Sequence, residues 1–155
     1  MINPQQQRNP YIIGSVIDKP DQFFGRQSLF QFIKDTLEQN TPLILLYGQR
    51  RIGKSSVLKQ IPQKISEDQF LFIDFDLQVF VGDNRKHPIN QILHYLAQRI
   101  GEEIENSLTT IPITIPTAED IEDDPTIFHG DFLTQIYNIL GERKLVLLLD
   151  EFDVL

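Results

Sequence analysis

Apolar positions along the chain follow two periods. Between Ser28 and Gln39, the residues Leu29, Phe30, Phe32, Ile33 and Leu37 fall at the three-to-four-residue spacing of an amphipathic helix. Asn40-Thr41-Pro42 closes it. Leu43–Tyr47 is then an unbroken apolar run, the pattern of a strand buried on both faces. A glycine-flanked loop, Gly48–Gly53, leads to a second helical pattern from Lys54, with Val57, Leu58 and Ile61 on one side. Pro62 is expected to end or kink that helix, because it lacks the N–H and its ring crowds the preceding turn. Phe70–Phe75 reads as a second strand. Pro88 suits the first turn of a helix running to about Gly101 or slightly beyond, with Ile89, Ile92, Leu93, Leu96 and Ile100 as its stripe. Residues 107–125 hold three prolines and the acidic run Glu119–Asp124, and read as an irregular, solvated excursion with at most a short helical turn. Phe128–Leu140 is again helical, stopped by Gly141, and Lys144–Leu149 is a third strand.

Strands alternating with helices predict an α/β domain with a parallel sheet and flanking helices. Residues 1–10 are polar with two prolines, and Tyr11–Ile17 suits a short extended piece. Residues 1–20 are expected to form an N-terminal extension, and 21–155 the domain portion.

Composition narrows the chemistry. Of 155 residues 41% are apolar and 23% charged, ordinary values for a folded chain. There is no cysteine, which excludes disulfides, thiolate metal sites, iron–sulfur ligation and a cysteine nucleophile. The net charge of −8 lacks the broad basic footprint of a nucleic-acid binder. The longest apolar runs, Leu43–Tyr47 and Leu145–Leu149, are far shorter than a membrane span, and no signal peptide is visible. A soluble, cytoplasmic chain without a membrane partner is the expectation. His87, His94 and His129 lack metal-ligand spacing and read as structural. The eleven phenylalanines fall mostly on helix and strand stripes, as core residues do.

The most informative segment is Gly48-Gln49-Arg50-Arg51-Ile52-Gly53-Lys54-Ser55, which fulfils the phosphate-loop pattern G-x-x-x-x-G-K-[ST] between an apolar strand and a helix. The glycines let the backbone turn tightly and approach an anion, and successive N–H groups form a nest at the positive end of the helix. Lys54 would reach β- and γ-phosphate oxygens, and the Ser55 hydroxyl would hold Mg²⁺. Arg50 and Arg51 add positive potential or are solvated at the loop tip. Ser56 closes the nucleotide-binding set as the next residue of the helix. The alternative is a glycine turn leading into a helix with an exposed lysine.

A second signal ends the last strand, where Lys144–Leu149 delivers Asp150 and Glu151. Ligands of open α/β sheets bind outside the carboxyl ends of strands, so this end and the loop are expected on one edge. Asp150 suits a water-mediated Mg²⁺ contact, and Glu151 suits general-base activation of a water aimed at a γ-phosphate. Asp74 and Asp76 end the second strand and read as solvated, with a place for one of them near the nucleotide pocket as the alternative.

Taken together, Asn9-Pro10-Tyr11-Ile12-Ile13-Gly14, Phe23-Phe24-Gly25-Arg26, the loop 48–55 and Leu149-Asp150-Glu151-Phe152-Asp153 resemble the STAND and archaeal-type branch of AAA+-like P-loop ATPases, in the same order. The resemblance implies a P-loop NTPase-type sheet, ATP and Mg²⁺ as cofactors, and ATP hydrolysis when the whole domain is present. It makes Phe24, Gly25 and Arg26 candidate pocket residues. It also implies a nucleotide-driven switch in signalling or defence, joined to downstream sensor or effector domains and compatible with an oligomer. Gln27-Ser28-Leu29 stand where relatives often carry acidic residues. The family's next strand, which lies between the two motif strands, its sensor residue, arginine finger and helical lid come later in sequence. The chain is therefore expected to be the N-terminal, incomplete part of such a domain, with a truncated gene product as the other source. An initiator- or transposition-type DNA-associated ATPase and a binding-only remnant are the alternative functions.

Overall fold

A computed structural model describes residues 25–65, 68–80, 89–107 and 112–151. The chain divides into an N-terminal unit, residues 1–66, and a C-terminal unit, residues 67–155. The proposed extension over residues 1–20 lies outside the described residues.

In the C-terminal unit, β1 (Phe70–Asp76) and β2 (Lys144–Asp150) form a parallel ladder in which Phe70 faces Lys144 and Asp76 faces Asp150. A parallel pair needs a long crossover. Here it carries a 3-10 turn (Leu77–Phe80) and the helices α3 (Ile89–Ser107) and α4 (Ala118–Asp123). A π-helical turn (Ile127–Phe132) then runs into α5 (Leu133–Leu140). Phe70 to Ile73 are all buried; beyond them Asp74 and Asp76 are exposed while Phe75 and Leu77 are buried. The strand thus passes from two-sided to one-sided cover.

The core is the helical stripe of α3 meeting that strand. Ile92, Leu96, Ala97, Ile100 and Ile104 pack with Leu71, Ile73, Phe75 and Leu77, joined by Ile121, Phe128, Phe132, Ile136 and Leu140. Each fully buried Ile or Phe contributes roughly 1.5–3 kcal/mol of transfer free energy. Aromatic edges extend the cluster: the Phe80 and Tyr95 rings meet edge-on with centroids 5.6 Å apart.

Polar clamps fix the crossover on this core. The Asn90 side-chain amide donates to the Ala118 carbonyl and to a Glu122 carboxylate oxygen, each at 3.0 Å. His94 Nδ1 lies 2.7 Å from the Pro116 carbonyl, so Nδ1 carries the proton. This gives His94 the structural role expected of it. Gln135 ties down the 112–114 stretch, accepting from Thr114 N–H and donating to the Pro112 carbonyl, each at 3.2 Å. Gly101 permits the approach: a Cβ there would sit 2.9 Å from Ile115 Cδ1.

Several expectations need correction. The acidic run is not a solvated loop: it forms α4, the short helical turn for which the excursion left room. Thr117 Oγ1 accepts from the Asp120 N–H, the Asp120 carboxylate accepts from the Thr117 N–H, and Ile121 is buried. A capping box satisfies otherwise orphaned donors, and one buried isoleucine anchors the turn. α3 runs past Gly101 to Ser107 because Ile104 continues its buried stripe. The helix over 128–140 opens with a π turn before α5, and Gly141, at φ +61°, ends it as expected.

In the N-terminal unit, α1 (Gln27–Glu38) buries Phe30 and Ile33. α2 (Lys54–Lys64) runs through Pro62 instead of stopping there. Pro62 lies in the last turn, where one lost hydrogen bond is tolerated, and Ile65 N–H still donates to the Ile61 carbonyl at 2.9 Å. The larger correction is Leu43–Tyr47. It joins no ladder among the described residues, and Leu43, Leu45 and Tyr47 are 67%, 75% and 102% exposed. Ile44 and Leu46 are half-buried, so the stretch keeps a period of two without being buried on both faces. An apolar run states a demand for cover; it does not contain the partner that supplies it.

Candidate functional site

The loop after Tyr47 is shaped by left-handed residues. Arg51 has φ +64° and Gly53 φ +92°, and Ile52 N–H donates to the Gln49 carbonyl at 3.4 Å, closing a turn. Gly53 is the N-cap of α2, its carbonyl accepting from Val57 N–H at 3.0 Å. No side chain caps this helix start. A helix start presents backbone N–H groups and the positive end of its dipole, which together favour an anion.

Lys54 folds back over the loop, its Nζ 3.2 Å from the Gly48 carbonyl and 3.4 Å from the Gln49 carbonyl. The ammonium is thus held at the loop opening. Gln49, Arg50 and Arg51 are exposed at its tip, Gly48, Lys54 and Ser55 are half-buried, and Ser56 is buried in the first turn of α2. The Ile52 side chain closes over Gly48, where a Cβ would lie 3.1 Å from Ile52 Cγ2.

Gly25 (φ +85°) and Arg26 (φ +61°) make the sharp turn into α1, and the Arg26 carbonyl accepts from Leu29 and Phe30 N–H. The Arg26 guanidinium donates through Nη2 to the Ile52 carbonyl at 2.6 Å. Two segments 26 residues apart are thereby brought together. Phe24 lies outside the described residues.

In the C-terminal unit, Asp150 is the last residue of β2 and half-buried, and its Oδ1 accepts the Glu151 N–H at 3.0 Å. That bond accompanies a left-handed Glu151, φ +53°, whose side chain is exposed at the strand end. The parallel register sets Asp76 beside Asp150. Asp76 is exposed, as expected, and its Oδ1 accepts the Gln78 N–H at 2.9 Å. The sequence reading held Asp74 or Asp76 near the pocket only as the weaker alternative to a solvated strand end; the register singles out Asp76 as the residue beside Asp150.

The loop residues belong to the N-terminal unit and the strand-end acids to the C-terminal unit. Among the described residues no group of three or more His, Asp or Glu is arranged to hold a metal ion. Nor is any helix long and apolar enough to cross a membrane.

A sequence model described as the AAA ATPase domain matches residues 22–155. The chain belongs to the AAA ATPase domain family. No curated protein and no solved structure matches it. Membership makes nucleotide binding and hydrolysis the activity of the family, and the parallel pair with its flanking helices is compatible with an incomplete α/β domain of P-loop type.

Proposed function

We propose that this AAA-family chain binds Mg-ATP through Gly48–Ser56 and that, in the complete domain, it hydrolyses ATP as a nucleotide-driven switch of the STAND type in signalling or defence. The observation that carries the reading is the loop itself. Its lysine sits at the opening and its second glycine is left-handed at an uncapped helix start.

In this reading Lys54 exchanges its loop carbonyls for β- and γ-phosphate oxygens. Gln49 and Ile52 contribute loop backbone, and Arg50 and Arg51 raise the local positive potential. The family resemblance keeps Phe24 and Gly25 as candidate pocket residues. The donor types suit Mg²⁺, a hard cation that takes few protein oxygens: the Ser55 hydroxyl would hold it directly and Asp150 would do so through water. Bound Mg²⁺ supplies neutralisation of charge on the phosphates. Glu151 orients and deprotonates the attacking water, and Asp150 fixes the backbone from which Glu151 projects. Downstream sensor or effector domains, and assembly into an oligomer, complete the proposed switch.

Calorimetric titration of Mg-ATP into the chain tests the binding step. Binding by the unaltered chain and none by Lys54→Ala is the expected pair of results. Equal binding by both would remove the loop as the site. In a hydrolysing form of the protein, Glu151→Gln should bind ATP and turn over far more slowly; an unchanged rate would remove Glu151 as the base.

A further inference from the structure

The hydrogen bond from Arg26 to the loop has a geometric consequence. The Ile52–Gly53 peptide is trans and planar, so its C=O and N–H point in opposite directions. Arg26 holds the carbonyl at 2.6 Å. The Gly53 N–H is therefore turned to the other side of the same plane, and it has no hydrogen-bond partner among the described residues. An unanchored peptide here could flip, because Gly53 tolerates either sign of φ. A flipped carbonyl would put a partial negative charge where the loop needs a donor.

We propose that Arg26 is a positioning residue for the phosphate loop: by fixing the Ile52 carbonyl it aims the Gly53 N–H into the anion cradle. This rests on the nucleotide reading above and deepens it, since Arg26 acts through the loop backbone and not on the ligand. The arrangement suits arginine. Its guanidinium stays charged and planar, and a charge-assisted bond to a carbonyl is stronger than a neutral one. Its own backbone is left-handed, a conformation unfavourable for a non-glycine residue, at the turn before α1. Because Gly53 meets the phosphate chain and not the base, the effect falls on every nucleotide that carries a diphosphate, with or without a γ-phosphate.

The test compares Mg-ATP and Mg-ADP affinities of the full chain, Arg26→Ala and Arg26→Lys, together with the amide spectrum of each protein without nucleotide. Since the bond is solvent-exposed, the expected loss in Arg26→Ala is roughly fivefold, and equal for ATP and ADP. Arg26→Lys should recover part of it, because an ammonium can still donate to the carbonyl. The Gly53 amide resonance should shift in nucleotide-free Arg26→Ala. Unchanged affinities in Arg26→Ala would overturn the positioning role while leaving the nucleotide site intact. So would a loss confined to ATP, which would mean a direct γ-phosphate contact. Arg26→Lys as weak as Arg26→Ala would also overturn it, and if Arg26→Ala does not fold, Arg26→Lys against the unaltered chain carries the same comparison. Failure of the unaltered chain to bind either nucleotide would sink the nucleotide reading, and this proposal with it.

Discussion

The two units solve different problems. The C-terminal unit supplies every member of one core cluster, from Leu71 to Leu140, and locks its crossover with side-chain clamps from Asn90, His94 and Gln135. The N-terminal unit leaves Leu43, Leu45 and Tyr47 in solvent and invests in backbone shape instead. Three of the four left-handed non-glycine residues among those described, Arg26, Asn40 and Arg51, lie there; the fourth is Glu151. Arg26, Arg51 and Glu151 all belong to the proposed site. Strain collected at such positions marks backbone held for a task, whereas the core positions of the other unit serve stability.

Several substitutions break or sharpen this contrast. The largest effect is expected for Lys54→Ala, which should weaken Mg-ATP binding roughly a hundredfold or more while leaving the melting temperature nearly unchanged. Titration calorimetry and thermal melts of the same sample read both. Phe132→Ala should do the reverse. Its side chain is almost fully buried, so the cavity should cost about 3–5 kcal/mol in a denaturant melt. Gly53→Ala forces a side chain into φ +92°, which should cost about 1–2 kcal/mol and weaken nucleotide binding together. Loss of one without the other would separate the loop's shape from its function.

Smaller effects are expected at α4. Thr117→Ala removes the cap and should cost about 1 kcal/mol, visible as faster amide exchange over 118–123 with nucleotide binding untouched. The pH dependence follows from the same group. The Thr117 hydroxyl and N–H hold the Asp120 carboxyl below its ordinary value of 3.8, and the Thr126 hydroxyl and N–H do the same for Asp124. A carboxyl depressed on folding stabilises the fold above its unfolded value, and that stability is lost as pH falls through 3.8 toward the depressed value. An acid titration of the α4 amides should show this loosening, and Thr117→Ala should flatten it. A profile unaffected by the substitution would assign the acid response to other carboxylates.

Much of the fold was legible because its signals are local. The stripe Ile92–Leu96–Ile100 needs a helix to share a face, and the short apolar runs Phe70–Phe75 and Lys144–Leu149 both form strands, the first buried as expected, the second with Leu147 and Leu149 exposed. α4 was allowed for only as a short turn and not placed, because its acidic composition outweighed one isoleucine, although Thr117 and Asp120 stand at capping-box spacing. Leu43–Tyr47 misled in the other direction, since apolarity was read as burial already achieved.

The site divides in the same way. By itself, the sequence determined the phosphate-loop pattern, the acidic strand end and the family to which they belong, because spacing along the chain sets which backbone N–H groups and side chains a loop can present. Only the tertiary structure decided that Arg26 bonds the Ile52 carbonyl, that Asp76 stands beside Asp150 and that Ile121 anchors an acidic helix. Each of these is a pairing between positions distant in sequence or a burial shared by several elements. Such pairings depend on strand register and on the path of a long crossover, which no local pattern encodes.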